Sequence, residues 1–220
     1  MIPHSATNRV LAGLDNNYFA PGSRAFVKAE GRIFTINGQP FYPVGTNTWD
    51  AAWLPAHTED GVFELFKEHG KRGATLIRVF AHGNGMEKTN RPNLIQPTLG
   101  SYNEEALRRL DLVLATAAKN GIRLILVFTN YEPDSGGMRW LVEQRRGKGA
   151  DLELFYTDRQ VKQDFKDYIN MLVSRRNTVT GVTYRDDPTI FAWELANEPH
   201  TTDGYEKSRN IKPGTLVRDW

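Results

Sequence analysis

Residues 187–200 read DPTIFAWELANEPH. Pro188 breaks any helix that precedes it, because it lacks an amide proton and its ring crowds the carbonyl four residues back. Ile190, Phe191, Ala192 and Trp193 then make a short apolar run with the length and composition of a buried strand. The run closes on Asn197-Glu198-Pro199, and Pro199 cannot carry a ladder further. An amide and a carboxylate are therefore presented together at the carboxyl end of a strand. In parallel α/β barrels that end carries the chemistry.

Working outward, three more apolar runs precede this one: residues 41–47, 75–80 (TLIRVF with its leading threonine) and 122–128 (IRLILVF). The last is apolar on both parities, as a strand covered on both faces should be. Helical periodicity separates them. Val62, Phe63 and Phe66 recur at helical spacing within residues 59–72. Residues 103–120 have Asn103 as a cap, Glu104 and Glu105 in the first turn, a stripe of Leu107, Leu110, Leu114 and Ala117, and Gly121 as terminator. Residues 158–176 align Val161, Phe165, Tyr168, Ile169, Leu172 and Val173 on one face. Pro213 opens a fourth helix, in which the stretch stops at Trp220. Residues 83–100 and 129–155 read as long loops.

A strand–helix alternation repeated four times predicts an α/β fold with a parallel sheet. A doubly wound sheet is the structural rival. Against it, no Gly-x-Gly-x-x-Gly follows a strand, and polar residues sit at several strand ends. Asn37-Gly38 signals a tight hairpin that would close the bottom of a barrel. Residues 1–25 read as an irregular N-terminal arm, leaving 26–220 as one domain.

The 28 basic and 26 acidic residues give a net charge of +2, with no basic stripe interleaved with aromatics, which argues against nucleic-acid binding. No apolar run approaches the roughly 20 residues of a membrane helix. No basic segment followed by an apolar one marks a signal peptide at the start. The absence of cysteine excludes disulfides and thiol chemistry. The five histidines show no ligand spacing, so neither a metal nor any other cofactor is expected.

The segment DDPTIFAWELANEP (186–199) resembles the fourth barrel strand of glycoside hydrolase family 5, in particular the plant- and fungal-type endo-β-1,4-mannanases. Residues 26–47 are similar to that family's entry into its first strand. The resemblance implies a (β/α)8 TIM barrel of which the first four βα units are present. It implies retaining endo-hydrolysis of β-1,4-mannosidic bonds, with Glu198 as acid/base and Asn197 holding the sugar 2-hydroxyl. It places Arg78 beside the nucleophile, and Phe80 where many relatives carry a tryptophan platform for sugar. The family's nucleophile is a glutamate on the seventh strand, beyond Trp220, so this stretch alone is expected to be inactive. Glu132 follows the third strand, where the family has no nucleophile. Glu194, two pleats before Glu198, should point lower into the barrel. A β-mannan polysaccharide is the implied partner, with a monomeric full-length enzyme secreted to meet it. A β-1,4-glucan hydrolase of the same family, and a non-catalytic carbohydrate-binding or vestigial protein, remain the rival readings.

Overall fold

The computed structural model describes residues 25–52, 59–85 and 94–220. The expected N-terminal arm, apart from its last residue, lies outside these residues, as do residues 86–93 of the first long loop. An antiparallel sheet comes first: β1 (Lys28–Glu30), β2 (Ile33–Ile36) and β3 (Gln39–Phe41). Asn37 and Gly38 turn β2 into β3 with φ of 53° and 76°. Positive φ at both turn positions is what a two-residue hairpin of the predicted kind requires.

Four parallel strands follow in the order β4 (Gly45–Asn47), β5 (Leu76–Phe80), β6 (Arg123–Val127) and β7 (Ile190–Glu194). The helices are α1 (Glu59–Lys71), α2 (Glu104–Lys119), α3 (Gly137–Arg146), α4 (Leu154–Thr157), α5 (Arg159–Ser174), α6 (Tyr205–Ser208) and α7 (Thr215–Asp219). Consecutive strands are neighbours and run parallel, so each crossover carries helix across one face. This is the first half of a β/α barrel.

The predicted boundaries of α2 and α5 follow from their caps. Asn103 Oδ1 accepts from the amides of Glu105 and Ala106, and Asp158 Oδ1 from those of Gln160 and Val161. Strand alternation divides the residues in two. Ile77, Val79, Leu124 and Leu126 lie on the helix-covered face, buried with Phe66, Leu110, Leu114 and Leu172. Each such side chain contributes about 1.5–3 kcal/mol by leaving water. Arg78, Phe80, Ile125, Val127, Ala192 and Glu194 share the opposite face by register. In a closed barrel that face lines the interior.

Three expectations need correction. Residues 41–47 are not one buried strand. Phe41 ends the hairpin, and β4 begins only at Gly45. The second long loop, 129–155, contains a 3-10 turn at Pro133–Ser135 and the ten-residue helix α3, whose Met138, Trp140, Leu141 and Val142 are buried. Paired glycines ahead of an arginine-rich run disguised it. Gly137 is needed there because a Cβ would stand 2.2 Å from the Asn130 carbonyl oxygen. In place of a single fourth helix, two short ones, α6 and α7, follow β7.

The approach to β7 is fastened by Asp111 on α2. Its carboxylate is fully buried and accepts from Arg175 Nε at 2.9 Å, Arg175 Nη2 at 2.6 Å, Tyr184 Oη at 2.7 Å and Thr178 Oγ1 at 2.8 Å. Removing one member of a buried, hydrogen-bonded ion pair leaves the other charge uncompensated. Asp111→Ala is therefore expected to cost about 3–5 kcal/mol, read as a lowered midpoint in urea unfolding. An unchanged midpoint would show that Arg175 finds full compensation in Glu104.

Candidate active site

The site is built at the carboxyl ends of β5, β6 and β7. Arg78 projects from the open face of β5. Its Nε donates to Glu194 Oε2 at 2.8 Å and its Nη2 to Glu194 Oε1 at 2.5 Å, a bidentate pair spanning from β5 to β7 across β6. The same Nη2 donates to Asn197 Oδ1 at 2.8 Å. Asn197 Nδ2 in turn donates to Asn130 Oδ1 at 2.8 Å. A guanidinium can only donate, so Arg78 fixes which end of the Asn197 amide faces it. One Nδ2 proton of Asn197 remains available for a ligand.

Strict alternation would put Glu194 and Asn197, three residues apart, on opposite faces. They reach one guanidinium because the backbone leaves the strand conformation after Glu194. Leu195 turns out to solvent and Ala196 turns in. The register still holds across this break. Phe128 N donates to Glu194 O, Asn197 N to Thr129 O and Tyr131 N to Asn197 O, at 2.8–3.1 Å. Asn197 and Asn130 thus form an isolated parallel bridge beyond the ladder.

Glu198 comes next, with φ of 49°. Left-handed backbone is uncommon for a residue with a side chain, and the residue before a proline is normally driven to extended conformations. Strain of this kind costs on the order of 1–3 kcal/mol and persists where surrounding contacts impose it. The Glu198 side chain is exposed, and its carboxylate has no hydrogen-bond partner among the described residues. The expected parity relation between Glu194 and Glu198 does not hold, since the intervening backbone is not strand. Glu194 is committed to Arg78, and Glu132 is exposed ahead of the 3-10 turn.

An aromatic group surrounds Arg78. The Phe80 ring lies 5.3 Å beneath the guanidinium carbon, 5.6 Å from Trp49 and 4.8 Å from the His82 ring, which it stacks upon. Phe80 is only 5% exposed, whereas Trp49 is 36% exposed. Phe80 is thus closed off among its neighbours, while Trp49 keeps part of its surface open. On the other side of the site, the His200 ring lies against Tyr131 at 3.5 Å between centroids.

Sequence reasoning singled out Arg78, Phe80, Asn197 and Glu198, and the fold brings Arg78, Asn197 and Phe80 into one cluster with Glu198 directly following. It did not single out Asn130 or His200. Asn130 was detectable in principle: it stands three residues past β6, as Asn197 stands three past β7.

An α/β barrel with polar groups gathered at its strand ends is the architecture of a barrel enzyme. The family description "GH family 5 beta-mannosidase-like" matches residues 24–213, and the chain belongs to this glycoside hydrolase family. Mannan endo-1,4-beta-mannosidase 1 of Oryza sativa subsp. japonica is 36% identical over 96% of this chain and 48% of its own length. Mannan endo-1,4-beta-mannosidase 5 of Solanum lycopersicum is 37% identical over 90% of this chain and 47% of its own. Among solved structures, the endo-1,4-beta-mannanase from Rhizomucor miehei superposes with a TM-score of 0.75 at 29% identity, covering 89% of this chain and 55% of that one. The chain spans about half the length of the curated relatives it matches.

His82 gives a pH prediction. It is fully buried, and neither ring nitrogen has a hydrogen-bond partner among the described residues. Burial, with the Arg78 charge adding to it, pushes the imidazole from 6.5 down to about 3. The unfolded chain thus takes up a proton that the folded one refuses, and stability falls as pH drops from about 6.5 towards 3. Between pH 7 and pH 4 the loss attributable to His82 is about 3 kcal/mol. His82→Phe should flatten the urea-unfolding profile over that interval, and parallel profiles would refute the assignment.

Proposed function

We propose that this chain supplies the proton-transferring half of a retaining endo-β-1,4-mannanase. The observation carrying this reading is the contrast at the end of β7. Asn197 is locked at both ends of its amide, while the adjoining Glu198 carboxylate is exposed, unpaired and held on strained backbone. Preorganised amide and free carboxylate are what glycoside cleavage needs side by side. The names of the relatives supply mannan as the substrate.

In this reading a second carboxylate, from a strand beyond residue 220, attacks the anomeric carbon. The bond to the leaving oxygen breaks, its electron pair goes to that oxygen, and Glu198 delivers the proton. Glu198 then takes a proton from water as that water displaces the carboxylate. The remaining Nδ2 proton of Asn197 binds the sugar 2-hydroxyl, a bond that strengthens as positive charge develops on the ring. Arg78 holds Asn197 in that orientation, and its charge favours ionised carboxylates nearby. Trp49, supported by Phe80, offers a flat apolar face to the C–H side of a sugar ring. A polymer of this size is met outside the cell, so we also propose secretion of the whole enzyme.

Glu198→Gln in the full-length protein is the test. It keeps shape but can neither give nor take the proton. Hydrolysis of β-1,4-mannan should fall by at least about 10²–10⁴-fold, with mannopentaose binding by calorimetry nearly unchanged. Wild-type turnover would overturn the assignment. Faster turnover of a β-1,4-glucan than of mannan by the parent enzyme would overturn the substrate.

A further inference from the structure

The strained backbone of Glu198 is gripped from both sides. The ladder to Thr129 and Tyr131 fixes Asn197, on the amino side. On the carboxyl side stands His200. Its Nδ1 lies 2.7 Å from the Glu198 carbonyl oxygen. A carbonyl can only accept, so Nδ1 carries the proton, in the neutral ring and in the charged one alike.

His200 is itself immobilised from two directions. Its ring lies against Tyr131, which leaves the end of β6. Its carbonyl accepts from Tyr156 Oη at 2.8 Å, and Tyr156 is buried on α4. Two residues on, Thr202 N donates to the buried Glu153 carboxylate at 2.6 Å. The segment leaving Glu198 is thus bolted to the wall of the fold, and the imidazole turns back to grip the Glu198 peptide. A side chain placed only to contact ligand would not need its Nδ1 spent on a backbone oxygen.

We infer that His200 is a positioning residue for proton transfer: through Nδ1–H to the Glu198 carbonyl it holds Glu198 in the left-handed conformation that aims its carboxyl. The inference rests on Glu198 being the proton donor. Its consequence is specific to leaving groups. A poor leaving group, such as a sugar alkoxide, needs the proton as the C–O bond breaks. A dinitrophenolate does not.

The experiment compares kcat/KM on mannopentaose and on 2,4-dinitrophenyl β-mannobioside, in the full-length enzyme. His200→Ala should lose about 30-fold or more on mannopentaose, as expected for a misplaced catalytic group, and only a few-fold on the activated glycoside. His200→Asn should recover most of that loss, because the Asn Nδ2 sits where the imidazole Nδ1 did and can donate to the same carbonyl. Tyr156→Phe, which frees His200 from behind, should show a weaker loss with the same selectivity. Equal losses on both substrates, or no rescue by Asn, would overturn the inference. Glu198→Ala run alongside separates the two readings. If it shows the selective loss and His200→Ala does not, only the His200 role falls. If Glu198→Ala shows no selectivity, the proton-donor assignment falls and His200 with it.

Discussion

Arg78 and Glu194 face each other across β6 from the two strands that flank it, and much of the site's geometry follows from their pairing. A guanidinium and a carboxylate only partly open to water need each other, because neither charge is easily left alone there. The bidentate geometry restricts rotation as well as distance. It sets the upper part of β7 relative to β5, and it leaves Nη2 with capacity for the Asn197 amide. That amide then finds Asn130 beyond β6. Three strands are tied at their carboxyl ends by one connected set of polar groups, each in a defined orientation.

The contrast between the two faces of the sheet explains why such a network is affordable. On one face Ile77, Val79, Leu124 and Leu126 bury apolar surface against helices. That face supplies stability. The opposite face offsets some of it with charges, with a buried imidazole at His82, and with left-handed backbone at Glu198. Among the described residues, no group pairs with the exposed Glu198 carboxylate, in contrast to the paired Glu194.

β7 depends on ties at both of its ends. Before it, Asp111 gathers Arg175, Tyr184 and Thr178, so the turn into the strand is pinned to α2 and α5. At its start, Phe191 is the extra residue in the pairing with β6, since Leu124 faces Ile190 and Ile125 faces Ala192. Its ring meets Phe34 edge-on at 4.9 Å, which docks the N-terminal hairpin at this end of the sheet. After it, Tyr156 and Glu153 hold the departing loop. The two ends of β7 are therefore held by residues distributed over much of the chain.

Much of this was legible in the order of residues. Periodicity located β5, β6, β7 and the helices α1, α2 and α5. Asn103 announced its cap and Asn37-Gly38 its turn, because each acts through backbone within a few residues. The Asn-Glu-Pro motif lay just past the end of β7 for a similar reason: proline cannot carry a strand further. Helix α3 was hidden, since its start depends on a glycine accommodating the Asn130 carbonyl from another segment. Only the tertiary structure decided that Glu194 and Asn197 share one guanidinium, that Asn130 completes the network, and that Phe80 lies beneath Trp49. Alternation along a strand predicts facing only while the strand lasts, and the backbone departs from it at Leu195. From there, Arg78, Asn130, Glu194 and Asn197 are set by contacts between residues some 70 to 120 apart, which no local pattern encodes.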